Sequence, residues 1–349
     1  MTDGYGQSFN HTKLAGQARK AFIVPAYTKL DIGIANLSSS ITTLCASPSQ
    51  THLQATRLAF RKAIAAWGRA EIITFGPVVE QNRFERLFFW PDRRGIGQRQ
   101  LRRILYGQSP NVLEPRKLAN KSVAVQGFTA LESLLHGKQA NELTTSRAHS
   151  FRCRFAHSIT RNLAWIVAQI LEAWSDDGAF TKLWMAPGPS NPVYLSAPEV
   201  TLELVKVLDQ TLLNVRERRI VPAIGFGRNR RVFRPVLWRS GLGMVLIDGN
   251  LRGVRELFEN GGLAEIYLAN QIQSDPSSDS AIASLKTEFK FLLNITGELA
   301  TLGYPFKRQT TRNRLIAIGF PLKSIRMDAV ARIKRAAGLS IGFNASDGD

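Results

Sequence analysis

Apolar residues recur along this chain at spacings of three and four. Phe60, Ile64 and Trp67 fall on one stripe with Glu71 at its end, and Phe155, Ile159, Ile166 and Ile170 form another that Trp174 extends. In the second half Val205, Leu208, Leu212 and Val215 repeat the pattern. So do Ile247, Leu251, Val254 and Phe258, and then Leu285, Phe289 and Leu292. A period near 3.6 residues belongs to an amphipathic helix with one buried face. No stretch of clear two-residue alternation competes with it, so the pattern predicts an all-α protein.

The breaks are as legible as the stripes. Ser47-Pro48-Ser49 separates two helices, Phe75-Gly76-Pro77 stops the second, and residues 89–95 form a long irregular connection. The richest Pro/Gly segment, Ala186-Pro187-Gly188-Pro189-Ser190-Asn191-Pro192, lies just past the midpoint and predicts a boundary there. Two helical bundles are expected, over 12–190 and 196–349, with about four helices each. A chain of 349 residues is also longer than one core usually fills.

A hydrophobic share of 44% against 21% charged residues fits a globular protein, and no apolar run approaches the roughly 20 residues that span a bilayer. The formal charge of +19 is unusual. It admits a polyanion partner or an anionic membrane surface, but a solvated basic surface is the ordinary reading of such runs. The densest clusters, Arg216–Arg219, Arg228–Arg231 and Lys307–Arg314, sit near helix ends or loops. No nucleic-acid motif accompanies them, so no nucleic-acid partner is expected. Two cysteines, Cys45 and Cys153, exclude a Cys-rich zinc site and leave open either one disulfide or two free thiols. Residues 1–20 show no hydrophobic segment of the signal-peptide kind, which is read as a cytoplasmic chain or one whose leader is not part of this sequence.

Few residues could carry chemistry. Glu71 shares the stripe of Phe60, Ile64 and Trp67, and a buried carboxylate needs a cation or a metal. Arg69, Arg83 and Arg86 are the nearby candidates for an ion pair. Glu132 borders the Phe128/Leu131/Leu135 face with Thr129 one turn before it, a hydroxyl and a carboxylate on one side of a helix. Gly127, read as lying inside that helix, costs about 1 kcal/mol against alanine unless another backbone or a ligand approaches it closely. His136 follows Glu132 by four residues; it is a ligand candidate, or a last-turn histidine that suits the helix dipole before Gly137. Phe89-Trp90-Pro91-Asp92 is a rigid aromatic and acidic loop, and Trp238-Arg239-Ser240-Gly241 opens a helix whose Arg239 offers a cationic wall or a partner for a carboxylate. No Gly-x-Ser-x-Gly elbow, P-loop or His-Glu-x-x-His signature is present.

Taken together, these segments resemble the imelysin family. The resemblance runs through Ile23-Val24-Pro25-Ala26-Tyr27, Trp67-x-x-x-Glu71 with Phe75-Gly76-Pro77, Arg83-Phe84-Glu85-Arg86 and Phe89-Trp90-Pro91-Asp92. It continues through Gln126-Gly127 to Glu132-Ser133-Leu134-Leu135, Phe151-Arg152-Cys153, the 186–192 segment, Trp238-Arg239-Ser240-Gly241-Leu242, and the terminal stretch from Gly338 to Asp349. The family carries Gly-x-His-x-x-Glu where this chain has Gly127, Thr129 and Glu132, so the motif imidazole is replaced by a hydroxyl.

The resemblance implies a bilobed all-α fold of two related four-helix bundles with a site between the lobes. It implies export to the periplasm or an outer-membrane association, with iron-uptake or envelope proteins as partners and membrane attachment through a lipid anchor not present in this sequence. Carried over by position, Glu71 and Glu132 become metal-ligand candidates, and Trp67, Trp90, Asp92, Gln126, Gly127, Thr129 and Arg239 ligand-binding candidates. Without the histidine the remaining donors are hard oxygens, which suit iron or another oxygen-ligated ion better than zinc. Export makes a Cys45–Cys153 bridge the expected state of the thiols. A non-enzymatic metal or small-ligand binding protein linked to iron uptake is the first expectation. A metallopeptidase is the second, and a module binding polyanions or anionic surfaces the third.

Overall fold

A computed structural model describes residues 9–145, 150–225, 234–269, 277–303, 306 and 308–339. The basic run Arg228–Arg231, Lys307, the polar stretch 273–276 and the terminal segment 340–349 lie outside the described residues. Among the described residues every regular element is helical.

Helix α1 (His11–Ala18) passes through a π-helical turn, Arg19–Ile23, into α2 (Val24–Ala46). Asn10 caps α1, its Oδ1 accepting from the Lys13 amide at 2.8 Å. After the Ser47-Pro48-Ser49 break, Ser49 caps α3 (Gln50–Ala70) by accepting from the His52 amide. Three short helices follow: α4 (Arg83–Leu87), α5 (Ile96–Gly107) and α6 (Pro115–Ala119). Next come α7 (Phe128–His136), α8 (Glu142–Thr145), α9 (Phe151–Ala173) and α10 (Ala179–Met185). The second half holds α11 (Ala197–Asn214), a second π-helical stretch at Val215–Ile220, and α12 (Val221–Ile224). It ends with α13 (Gly243–Glu259), α14 (Leu263–Ala269), α15 (Ser277–Thr301), α16 (Gln309–Ala317) and α17 (Gly319–Ala336).

The packing makes two rings of four. Helices α2, α3, α7 and α9 close one bundle, and α11, α13, α15 and α17 close another. The predicted stripes face the two interiors: Phe60, Ile64, Phe155, Ile159, Ile166 and Ile170 in the first, and Val205, Leu208, Leu251, Val254, Phe289 and Leu292 in the second are all buried. Cys45 and Cys153 are joined as a disulfide, with Cα atoms 5.7 Å apart, tying the end of α2 to the start of α9.

The halves meet chiefly along α3 and α13. Glycines let these helices touch backbone to backbone. A Cβ on Gly68 would stand 2.8 Å from the Leu246 carbonyl oxygen, and one on Gly249 2.9 Å from that of Ala65. The Pro/Gly segment after α10 is pinned down. The Asn191 amide group donates to the Leu183 and Ala186 carbonyls, and its oxygen accepts from the amides of Val193 and Tyr194. Helix α1, which the sequence groups with the first half, also lies against α11, where His11 meets Thr201 at 2.8 Å.

Candidate functional site

Glu71 is the C-cap of α3, continuing the buried stripe past Trp67. A carboxylate at a helix C-terminus faces the negative end of the helix dipole, so burial there demands strong compensation. It comes from the second half of the chain. Glu71 Oε1 accepts from Arg219 Nη2 at 2.6 Å, and Oε2 accepts from Asn250 Nδ2 at 3.0 Å. Arg219 also donates to Asn250 Oδ1, and Asn250 Nδ2 reaches the Gly68 carbonyl at 2.7 Å. Three elements, α3, the π-helical stretch and α13, thus close a ring of charge-assisted hydrogen bonds around one carboxylate.

The sequence-based partners of Glu71 were Arg69, Arg83 and Arg86, and each is engaged elsewhere. Arg69 pairs with Glu256, Arg83 with Glu80, and Arg86 donates to the Gln126 side chain. Sequence proximity suggested them; the true partner is separated by 148 positions. The only signal for Arg219 was its membership of the basic cluster Arg216–Arg219.

A cleft of about 300 Å³ opens beside this ring. Its walls include Glu71, Ile72, Thr74 and Phe84 from the first half and Gln210, Thr211, Asn214, Arg218, Arg219 and Asn250 from the second. The π-helical stretch supplies both arginines. A single π turn widens a helix by one residue and re-aims its side chains, a feature frequent at functional sites. Periodicity could not reveal it, because one inserted residue reads as a small slip of phase. Trp90 joins the cluster from the side, its ring 5.8 Å from the Arg219 guanidinium.

Glu132 is buried one helix away and satisfied differently. Its Oε1 accepts from the Arg239 amide at 3.1 Å, the Ser240 amide at 2.9 Å and the Ser240 hydroxyl at 2.8 Å. The Arg239 guanidinium stands 3.9 Å from Oε2. Burial pushes the Glu132 carboxyl above its usual range and outweighs these hydrogen bonds and the arginine charge, which act the other way. The loop it grips is bent: Leu237 and Gly241 have φ of 52° and 72°, and a left-handed Leu costs energy that the Glu132 contacts help to hold. Arg239 Cζ lies 4.2 Å from the Trp238 ring, with Arg234 on the same ring at 4.7 Å.

Gly127 is the N-cap of α7, not an interior position. Its absent side chain is needed for close approach: a Cβ would fall 2.4 Å from the Leu87 carbonyl oxygen and 2.5 Å from that of Arg86. Gln126 is fully buried in a structural network, accepting from Arg86 Nε at 2.9 Å and donating to the Lys121 carbonyl at 2.7 Å. Trp67 is fully buried in the first core among Phe84, Phe88 and Phe128. A tryptophan in register with Phe60 and Ile64 follows them inside. Thr129 is half-buried, its carbonyl accepting from the Ser133 hydroxyl.

His136 packs on Phe60 with ring centroids 5.6 Å apart, and its Nε2 is buried without a partner. Burial, then the charge of Arg57, pushes it down to about 4, so the ring is neutral. Asp92 caps α5, accepting from the Ile96 amide at 2.7 Å, and its charge also bears on Arg239. The loop 90–92 therefore reaches toward both sides: Trp90 to Arg219, and Asp92 to Arg239.

As a metal centre these residues do not fit. Both oxygens of Glu71 and one of Glu132 already accept from protein donors. Among the described residues no three His, Cys, Asp or Glu side chains converge. The oxygen-ligated metal site expected at Glu71 and Glu132 is not assembled by these side chains, because each carboxylate is claimed by its own donors from the second half.

Comparison with known proteins adds the family setting. The sequence profile of imelysin matches residues 23–313. A curated relative, iron-regulated protein A of Synechococcus elongatus, is 26% identical over 200 residues, 57% of this chain and 51% of its own. The match thus spans about half the length of that relative. An imelysin-like protein from Psychrobacter arcticum has the same fold, with a TM-score of 0.71 at 18% identity, covering 95% of this chain and 97% of that one. A Parabacteroides distasonis protein described as an iron-regulated protein A precursor superposes with a TM-score of 0.64 at 13% identity, covering 96% of each.

Proposed function

The chain belongs to the imelysin family, and on that premise we propose that it is a non-enzymatic, exported binding or accessory protein of iron uptake. Its ligand is a small molecule carrying oxyanion groups, held in the cleft beside Glu71 and Arg219. The observation that carries this reading is the composition of that cleft. Arg219 is spent on Glu71, but Arg218 brings a second cation, and Gln210, Thr211 and Asn214 bring neutral hydrogen-bonding groups. The cleft is therefore net positive, polar and, at about 300 Å³, sized for a small ligand. Molecules with several oxyanion groups are also iron chelators, which connects the cleft to the relatives named for iron regulation.

The disulfide supports a periplasmic or outer-membrane-associated setting, since such bonds persist in oxidising compartments. Envelope proteins of iron uptake are the partners this setting provides. The non-enzymatic reading is supported by the state of the two carboxylates, since each is held by protein donors and neither is presented as a free base.

Calorimetric titration with citrate, alone and as its ferric complex, tests the proposal. Wild-type protein is expected to bind one of the two, and Asn214→Leu, which fills the cleft, to lose it. Ferric, ferrous, zinc and calcium ions given alone are expected to produce no heat. Binding that Asn214→Leu leaves intact would overturn the cleft, and heat from a bare ion that vanishes in Glu132→Ala would restore the metal centre instead.

A further inference from the structure

A dense one-signed charge lies on α5 and the turn before it. Residues 93–113 hold five arginines, Arg93, Arg94, Arg99, Arg102 and Arg103, and no Asp or Glu. All five are exposed. None enters an ion pair among the described residues. The acids that bracket the segment are committed: Asp92 caps α5 and Glu114 holds Lys117 at 2.8 Å.

The arrangement along the helix is ordered. Gly97 and Leu101 are buried and Ile104 and Leu105 half-buried, which turns the opposite face outward. On that face Ile96, Arg99, Arg102, Arg103 and Tyr106 follow at three- and four-residue spacing, so they form one stripe. Like charges at such spacing weaken a helix when nothing neutralises them. The stripe also ends in apolar groups at both tips: Ile96 is 37% exposed and Tyr106 95%. With its apolar side packed on the protein, α5 turns outward a basic face flanked by one aliphatic and one aromatic side chain, and clustered arginines are drawn to anionic surfaces.

We infer that the outward face of α5 docks this protein on the phosphate headgroups of an anionic phospholipid surface, with Tyr106 and Ile96 entering the headgroup layer. Two observations favour lipid over nucleic acid. The stripe is tipped by apolar side chains, which a phosphate backbone would not use. The Cys45–Cys153 disulfide also belongs to an oxidising compartment, where membrane surfaces are an abundant polyanion. The docking face is separate from the cleft at Glu71 and stands whether or not that cleft binds a ligand.

Co-sedimentation of the full chain with vesicles tests it. Vesicles of phosphatidylglycerol in phosphatidylcholine are expected to bind the protein at low salt, less so as salt rises, and pure phosphatidylcholine vesicles not at all. The triple variant Arg99→Gln/Arg102→Gln/Arg103→Gln is expected to bind about a hundredfold more weakly, since each arginine near an anionic surface contributes about fivefold. Tyr106→Ser, a single exposed change, is expected to weaken binding while retaining the salt dependence. As a control for net charge, Lys286→Gln/Lys290→Gln/Lys323→Gln removes three exposed cations from the second half and is expected to keep binding. Equal loss in both triple variants, or none in either α5 variant, would overturn the proposal. So would tighter binding of duplex DNA than of anionic vesicles at the same salt.

Discussion

Glu71 and Glu132 are both buried carboxylates that reach from the first half of the chain to the second, yet they are satisfied in opposite ways. Glu71 is one half of an ion pair, with Arg219 and Asn250 as side-chain partners and an open cleft beside it. Glu132 meets two backbone amides and a hydroxyl, and its arginine stands back at 3.9 Å. The first acts as a charge. The second acts as an acceptor that stitches the 237–241 loop to α7. A family motif draws the eye to Glu132, while the groups that could receive a ligand gather around Glu71.

The largest separation between the two should come from deleting the charge at Glu71. Glu71→Ala leaves the mostly buried Arg219 without its carboxylate at the seam between halves, still holding Asn250, and is expected to cost about 3 kcal/mol in urea unfolding. A loss below 1 kcal/mol would mean that Arg219 is already well solvated. Gly68→Ala should strike the same seam from the backbone. Its Cβ meets the Leu246 carbonyl at 2.8 Å, so α3 and α13 must part, at about 1–3 kcal/mol and with loss of the Asn250 contact to Gly68. Unchanged stability there would show that the helices yield freely.

On the Glu132 side the expected effects are smaller and depend on pH. His136 lies one turn further along α7. Its folded-state value of about 4 lies below the unfolded 6.5, so the unfolded chain binds its proton first. Stability should therefore fall as pH drops from 6.5 toward 4. His136→Leu is expected to flatten that limb by about 1–2 kcal/mol in denaturation curves taken across the window. Parallel curves for the two proteins would remove His136 as the cause.

Glu132→Gln keeps an acceptor for the loop amides and should cost only about 1 kcal/mol near neutral pH. The sign of its pH dependence is opposite. The Glu132 carboxyl is raised in the folded state, so wild type gains stability as pH falls through that raised value toward 4.5. The penalty of Glu132→Gln should grow in the same direction. A penalty that shrinks on acidification would show that Glu132 serves as a charge after all.

The sequence reads faces well and partners poorly, and these residues show why. Periodicity placed Phe60, Ile64 and Trp67 on one stripe, and they are buried together; the same stripe marked Trp67 as core more securely than resemblance marked it as a ligand contact. Gly127 was legible as a site of close approach, though as the cap of α7 and not part of its interior. Arg219 and Asn250 were not legible, because periodicity says which way a side chain points within its own helix and nothing about what arrives opposite it. The π-helical stretch that aims Arg218 and Arg219 into the cleft leaves only a one-residue shift of phase. The Cys45–Cys153 pair was open on residues alone and became an expectation only through the resemblance.

Two tryptophans report on the two carboxylates separately. Trp90 lies against Arg219 on the Glu71 side, and Trp238 against Arg239 on the Glu132 side. Their indole N–H signals, assigned with Trp90→Phe and Trp238→Phe, can be followed by NMR while citrate or its gallium complex, a diamagnetic stand-in for the ferric one, is titrated into the protein. The Trp90 signal is expected to move with saturation while that of Trp238 stays in place. Movement of Trp238 with Trp90 unmoved would place the ligand at Glu132 and contradict it.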